Sequence, residues 1–508
     1  MEDFPRIIES ARVPLDIPIR PYLNDHCVDG QAVLPAVEAM EILAQAVQRF
    51  RPGTDVSAMS GLQFDKFLYL APEADRLSAF CDISVYENGD VNAVLTTRTP
   101  SKKAALSRVK THAALIFPRQ APPMPTLALD LAASLEGVCF PVQNDKIYPG
   151  LIPFGPSYRN VAMLHVAGQS AMAEIRTPAD EAGAERPHLL GSPFAIDAAF
   201  HAACVWGQRF AGIVAFPVGV DRCRVYVPTR AGETYFAHVM HVRTDAGLLI
   251  FDLRMYDRDG SLHVACSGVR MKDVSGGKRL PPQWVSLPAT TDRTTGLMAA
   301  GCAAVTVIEL ITVVPFADKV LSADEIKRFE NMSDRRRRSF LAARLACKRL
   351  SRILSGNDTE TDPRAISTVY TDNPSPCCPL TDGRSGYSCS VSHDDRFAVA
   401  VASTGRVGVD VEKMSERVLK SRSLFMSAQE EALGRASRLG EIETAVRIWS
   451  IKEAVTKALD ITLIDAWSRV QVSSVGSFES RFQIDGQEPC TAVHDTVGQH
   501  VFTLVCRL

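Results

Sequence analysis

The sequence predicts an α+β protein: an N-terminal part of antiparallel strands wrapped on central helices, then a C-terminal part of mixed helices and strands. Three observations carry that prediction. A helix followed by a run of strands occurs twice before residue 280. A Gly- and Pro-bearing stretch, 274–295 with Gly276-Gly277 and Pro281-Pro282, then interrupts the pattern. Beyond it short strands and helices alternate, and two compact motifs hold clustered charges. With 508 residues the chain is too long for one ordinary domain.

The first helix is expected over about 35–50, with Pro35 in its first turn and Val37, Met40, Leu43, Ala44 and Val47 at core spacing. Strands follow at 62–70, 77–86, 91–98 and 105–117, and the Pro-rich stretch 118–125 reads as a linker. The second helix is expected over 193–210. Its strands lie near 214–227, 234–243, 248–256 and 262–274, with Asp257-Arg258-Asp259-Gly260 as a hairpin turn. Past the linker, 303–314 reads as a strand and Leu321-Ser322-Ala323-Asp324-Glu325 as a helix start. The stretch 335–352 holds Arg335, Arg336, Arg337, Arg338, Arg344, Lys348, Arg349 and Arg352 and no acid. In a chain of near-neutral charge such a cluster suits phosphates or an acidic protein surface, and otherwise a solvated helix face.

Composition narrows the class. Apolar residues make 46% and charged residues 22%, as in globular proteins generally, and the net charge of −2 argues against nucleic acid or a membrane surface as partner. The start, Met1-Glu2-Asp3, is acidic with no apolar h-region after it, so no signal peptide is expected. The longest apolar run, 303–316, contains Glu309 and is too short for a bilayer. Thirteen cysteines include no C-x-x-C pair, only the adjacent Cys377-Cys378, and a reduced cytoplasmic protein is the expectation.

Two motifs carry chemistry. Gly408-Val409-Asp410-Val411-Glu412 reads as a strand, which turns Asp410 and Glu412 to one side. Trp449-Ser450-Ile451-Lys452-Glu453-Ala454-Val455-Thr456-Lys457 reads as a helix with Glu453 and Lys457 one turn apart. Three carboxylates beside cations suit Mg²⁺ holding a diphosphate; the plain alternative is a solvated strand end and an ordinary Glu–Lys pair.

Together these motifs resemble the surfactin-type 4′-phosphopantetheinyl transferases, whose pattern is G-[VI]-D-[VIL]-E followed some forty residues on by W-[ST]-x-K-E-[AS]-x-x-K. Two further motifs agree: Phe425-Met426-Ser427-Ala428-Gln429-Glu430 between them, and Ser390-Val391-Ser392-His393-Asp394 upstream. The resemblance covers about 305–508 and implies a pseudo-twofold α+β fold over 301–508, behind a linker at 281–300. It implies transfer of phosphopantetheine from coenzyme A to a serine of an acyl carrier protein, with Mg²⁺ on Asp410, Glu412 and Glu453. Glu430 is the implied base, Lys452 and Lys457 the implied phosphate contacts, and Arg344, Ser392 and His393 the implied coenzyme contacts. Where relatives place a G-K-P loop, this chain has Pro374-Ser375-Pro376.

The first part resembles the double hot-dog dehydratase domains of polyketide and polyunsaturated-fatty-acid synthases. His26, Gly30 and Pro35 match H-x-x-x-G-x-x-x-x-P, and Asp197 and His201 match D-x-x-x-[QH]. In the loop Phe154-Gly155-Pro156-Ser157-Tyr158, phenylalanine stands where tyrosine is usual. The resemblance implies two hot-dog units, 1–120 and 126–280, that dehydrate a 3-hydroxyacyl thioester. His26 would take the α-proton. Asp197, its pKa raised by burial, would protonate the departing hydroxyl. Gly30 would let backbone approach the thioester, and His201 would orient Asp197 or hydrogen-bond the hydroxyl. Alternatives for this half are a carrier-protein binding module without turnover and a product-template-like cyclase. The whole is then a bifunctional enzyme serving one fatty-acid or polyketide synthase through its carrier proteins.

Overall fold

The structure is a computed structural model that describes residues 5–100, 107–124, 129–179, 188–286, 296–297, 300–310, 316–356, 362–368 and 386–506. Two compact units emerge: Met1–Leu129 with Phe140–Leu287, and Asp130–Cys139 with Pro288–Leu508.

In the first unit the helix Ala36–Phe50 starts after Pro35 as its N-cap, and Val37, Met40, Leu43, Ala44 and Val47 are all buried, as their spacing predicts. Around it run β1 (Ile7–Pro18), β4 (Ala58–Gln63), β5 (Arg76–Tyr86), β6 (Val91–Pro100) and β7 (Ser107–Phe117); the short strands β2 (Cys27–Val28) and β3 (Gln31–Ala32) form a separate hairpin. β1 is absent from the sequence-level expectation. As the outermost strand of the sheet it fully buries only Ile17, yet Ala11, Val13, Leu15 and Ile17 alternate with exposed Arg12, Pro14, Asp16 and Pro18, a pattern the sequence reading passed over. The expected strand 62–70 ends at Gln63, and residues 64–69 instead line a cavity.

A second set repeats the plan: β8 (Phe140–Gln143), β9 (Val161–Ala167), β10 (Ser170–Arg176), β11 (Phe216–Val225), β12 (Thr234–Asp245), β13 (Leu248–Asp257) and β14 (Leu262–Lys272). Its helix, Pro193–Trp206, is buried on every side, as only a central helix can be. Antiparallel pairing of β4 with β11 joins both sets into one twelve-stranded sheet, ordered β1-β5-β6-β7-β4-β11-β14-β13-β12-β10-β9-β8. This is a double hot-dog.

The second unit holds two sheets, β15-β17-β16 and β18-β22-β21-β20-β19. The strands are β15 (Ala304–Glu309), β16 (Ser388–His393), β17 (Phe397–Ser403), β18 (Val407–Lys413), β19 (Val470–Val475), β20 (Glu479–Ile484), β21 (Cys490–Val497) and β22 (His500–Cys506). The long arginine-rich helix Asp334–Leu354 packs on β15 and β17, and the long motif helix Glu441–Leu459 packs on β18 and β22.

Residues 130–139 fall inside the expected second hot-dog, yet they cluster with the second unit. Gly137 N–H donates to Val307 O at 2.7 Å, and Cys139 N–H to Glu309 at 2.8 Å. Glu136 pairs with Arg349 at 2.7 Å, and Asp130 pairs with Arg352. Leu131 and Leu135 are buried there. Part of the basic run is therefore engaged inside the fold. Among the described residues no helix is long and apolar enough to cross a membrane.

Candidate functional sites

In the first unit His26 follows a short 3-10 turn, and its Nδ1 lies 3.1 Å from Val33 O. A carbonyl can only accept, so Nδ1 carries the hydrogen and Nε2 presents a lone pair. Nε2 faces Asp197 Oδ1 at 3.8 Å. Asp197 Oδ2 lies 2.9 Å from His201 Nε2, one helical turn on, and Tyr148 OH lies 2.7 Å from His201 Nδ1. His26, Asp197 and His201 thus meet from both hot-dog halves. They line a cavity of about 490 Å³ whose walls also include Leu34, Leu68, Leu95, Phe154 and Phe200.

Burial, outweighing the nearby Asp197, holds the His26 pKa below the usual histidine value. For Asp197 the sequence-level expectation is corrected. Burial does push its pKa upward, but the combined pull of His201 and His26 wins and the carboxyl ends below its ordinary value. It rests as a carboxylate.

Phe154, buried, places its ring 4.1 Å from that of His26 and 5.2 Å from that of His201. Gly30 is corrected as well. It is exposed in the β2–β3 turn, follows Asp29 at φ 53°, and itself has φ 76°. Its requirement is the two-residue hairpin, in which both residues need positive φ, not approach to a substrate.

In the second unit Gly408 opens β18 where a Cβ would run into the Ala454 carbonyl, so glycine lets that strand lie against the motif helix. Asp410 is buried: Oδ1 accepts from Ser392 Oγ at 2.8 Å and from Lys457 Nζ at 2.9 Å, and Oδ2 accepts from Ser450 Oγ at 2.8 Å. Glu412 accepts from Trp449 Nε1 at 3.2 Å. Burial and the neighbouring Asp410 push the Glu412 pKa up to about 7, and the same two causes raise that of Glu453. Asp410 is thus close enough to Glu412 and Glu453 to raise the pKa of both, with Lys457 the cation on Asp410, whereas the ligand atoms that converge tightly enough for one metal ion among the described residues are those of Asp394, Asp395 and His500.

His393 is exposed at the end of β16. Shielding of its ring and then Lys457 lower its pKa, with Arg344 contributing. Arg344 stacks over Phe340 at 4.5 Å and donates to Thr368 Oγ1 at 3.0 Å. Ser392 gives its hydroxyl to Asp410, so it sets the carboxylate rather than standing free for a coenzyme.

Glu430 and Lys452, expected as base and phosphate contact, are paired with each other and with backbone rather than with Asp410. Glu430 is fully buried: Oε2 accepts from Ser427 N at 2.8 Å and Lys452 Nζ at 2.9 Å, and Oε1 accepts from Val472 N at 2.8 Å. Lys452 also donates to Phe425 O at 2.6 Å. The polar atoms of both side chains are committed to the fold. Ser427-x-x-Glu430 is a capping box, a signal legible from the spacing alone. Tyr148 and Ser450, which sequence reasoning passed over, complete the two constellations. The Pro374-Ser375-Pro376 loop lies outside the described residues.

Family models match three stretches: a polyketide synthase dehydratase domain at residues 14–83, a polyketide synthase dehydratase N-terminal domain at 144–281, and the 4′-phosphopantetheinyl transferase superfamily at 406–505. The chain joins a polyketide-synthase-type dehydratase region to a 4′-phosphopantetheinyl transferase domain. The dehydratase region lies in the double hot-dog and the transferase match in the second unit. Curated relatives include polyketide synthase PksM of Bacillus subtilis (strain 168), 20% identical over 54% of this chain and 7% of that protein. Another is a polyunsaturated fatty acid synthase chain of Thraustochytrium sp. (strain ATCC 26185 / S-3), 26% identical over 42% of this chain and 8% of that one. The chain thus spans less than a tenth of either relative. Similar solved structures include the dehydratase domain of a mycocerosic acid synthase-like polyketide synthase, at TM-score 0.44 and 20% identity over 53% of this chain and 93% of that one. A trans-AT polyketide synthase dehydratase domain from Brevibacillus brevis gives TM-score 0.43 and 19% identity over 53% of this chain and 95% of that one.

Proposed function

We propose that the chain is a bifunctional enzyme of fatty-acid or polyketide synthesis, loading carrier proteins with phosphopantetheine and dehydrating 3-hydroxyacyl thioesters bound to them. The observation that carries the transferase reading is the cluster of Asp410, Glu412 and Glu453 with Lys457 at the β18–motif-helix contact. Those three carboxylates would hold Mg²⁺, which supplies charge neutralisation to the diphosphate of coenzyme A when bound. Ser392 and Ser450 fix both oxygens of Asp410, so its orientation is set before any ligand arrives. Lys457 brings the site's positive charge toward phosphate oxygens, and His393 and Arg344 border it. The acceptor is a carrier-protein serine, and the cytoplasmic placement expected from the cysteines belongs to this proposal.

For dehydration, His26 Nε2 takes the α-proton, and the electron pair released forms the double bond as the β-hydroxyl leaves. Because Asp197 rests ionised, the proton given to that hydroxyl is the one His26 has just accepted, passed across the 3.8 Å gap by Asp197. Water departs, His26 returns neutral, and no proton is gained or lost. A non-catalytic carrier-protein binding module is the second reading, and Phe154 packed against His26 favours it.

Incubation with coenzyme A, Mg²⁺ and an apo carrier protein, read by intact mass, tests the transferase. Turnover of a 3-hydroxyacyl-pantetheine thioester tests the dehydratase, and none in the wild type would leave only the binder. In a turning-over enzyme His26 must be neutral, so kcat/KM should hold down to the lowered histidine pKa and fall beneath it. An acid limb at or above about 6.5 would contradict the buried-base assignment.

A further inference from the structure

Tyr148 belongs to none of the motifs above, and it does not line the cavity. Its side chain is buried at the end of the short helix Asn144–Ile147, and its hydroxyl lies 2.7 Å from His201 Nδ1. The Val161 N–H reaches the same hydroxyl oxygen at 3.4 Å. An oxygen that accepts there has its own hydrogen free to give, and His201 Nδ1 lies within its reach. A ring nitrogen that accepts carries no hydrogen, so neutral His201 bears its hydrogen on Nε2. That nitrogen is the one 2.9 Å from Asp197 Oδ2, a close ionic approach in which the ring N–H is not aligned as a hydrogen bond and neither atom has another partner among the described residues. The opposite tautomer would set a nitrogen lone pair against a carboxylate oxygen at that distance, away from water, and would deprive the Tyr148 hydroxyl hydrogen of its Nδ1 acceptor.

From this geometry we propose that Tyr148 is a positioning residue that locks His201 in its Nε2–H tautomer and thereby keeps the hydrogen-bearing nitrogen, not a lone pair, beside Asp197. Burial raises the phenol pKa well above its ordinary value, so Tyr148 stays a donor throughout the working range. The titratable groups around it are Asp197, Cys204, Arg159 and His201 itself. The consequence for rate rests on the dehydratase reading; the tautomer does not.

The first test is ¹⁵N NMR of histidine-labelled full-length protein, with His201→Gln used to assign the His201 signals. The wild type should show His201 with its hydrogen on Nε2, and Tyr148→Phe should show a mixture of tautomers. A wild-type Nδ1–H signal, or a His201 signal unchanged in Tyr148→Phe, overturns the proposal whether or not the protein turns over substrate. In an active enzyme Tyr148→Phe should lower kcat about 10- to 100-fold with KM nearly constant, the range typical of a group that orients a functional histidine. It should also move a limb of the pH profile. In a His201→Gln background the same substitution should change nothing further. Equal losses in both backgrounds with an unmoved pH profile would reduce Tyr148 to packing alone. A wild type without turnover, with the tautomer signals as expected, would instead remove the dehydratase reading and leave the positioning role standing.

Discussion

In the first half of the transferase unit, Glu325 at the third position of the helix Ala323–Glu330 reaches back to Ser322 N at 2.8 Å. It also pairs with Lys348 at 2.9 Å and accepts from Thr368 N at 3.0 Å. In the second half, Glu430 on the helix Ala428–Ala436 does the same with Ser427 N, Lys452 and Val472 N. Both lysines lie on the long helix of their half, and both donate further hydrogens to backbone carbonyls: Lys348 to Pro363 and Ile366, Lys452 to Phe425. The device is a buried charge pair that ties a short helix, a long helix and an extended segment together.

What differs is the lysine's neighbourhood. One residue past it stands Arg349 in the first half and Glu453 in the second; two residues before it, Ala346 and Ser450. Arg349 turns to Glu136 of the 130–139 segment, whereas Ser450 and Lys457 turn to Asp410 on β18. The same scaffold thus carries an internal seam in one half and a chemical site in the other. The W-S-x-K-E-x-x-x-K motif is accordingly of two kinds: its first lysine pairs with Glu430 inside the fold, and its serine and last lysine turn to Asp410, beside which the proposed function places the chemistry.

Four experiments bear on whether the halves share a scaffold and differ in chemistry. Asp410→Ala should lower carrier-protein loading by about three orders of magnitude, the several kcal/mol of charge stabilisation a metal site supplies, with the thermal transition in place. Loading at wild-type rate, or in excess EDTA, would remove the metal assignment. Next, Glu325→Ala and Glu430→Ala should each destabilise the unit by about 3–5 kcal/mol in denaturant titrations, since each leaves a lysine buried and uncompensated. A Glu430→Ala protein of normal stability but no transfer would restore Glu430 as the base and end the equivalence of the halves.

A chain cut near Gly276 loses residues 130–139 from its C-terminal piece. That piece should be less stable than the same unit in the full chain by about 3 kcal/mol, from Leu131 and Leu135 at roughly 1.5 kcal/mol each. Equal stability would return the transferase to a simple contiguous domain. The smallest effect concerns Arg335, Arg336 and Arg338, which are exposed where Lys348, Arg349 and Arg352 are engaged. If they meet an acidic carrier protein, its KM should rise a few-fold between low salt and about 0.15 M, where the Debye length is about 8 Å. An Arg349→Ala protein should keep that salt dependence; its loss there would mean that the internal arginines do the docking.

Much of the site was legible without coordinates. The pairing of His26 with Asp197 and of Asp410 with Glu453 followed from motif order, and the central helix Ala36–Phe50 from its apolar spacing. Other features carried more than one meaning, as where the Ser427-x-x-Glu430 spacing expected for catalysis also forms a capping box. The expected rise in the Asp197 pKa failed because desolvation is a property of position, whereas the opposing pull came from two histidines whose distances no sequence states.

By itself the sequence determined the local terms: which segments turn, cap or alternate, that Asp29-Gly30 makes a two-residue hairpin, and that two carboxylates on one strand share a face. These depend on neighbours a few residues away, and the chain writes them in order. Tertiary structure alone decided which charges meet. Lys452 is a scaffold lysine because it meets Glu430 and the Phe425 carbonyl, whereas Lys457 meets Asp410. Residues 130–139 join the second unit because Arg349, Arg352 and the backbone of β15 offer partners there. Coulomb energy and desolvation depend on distance through space, and partners more than two hundred residues apart leave no trace in local pattern.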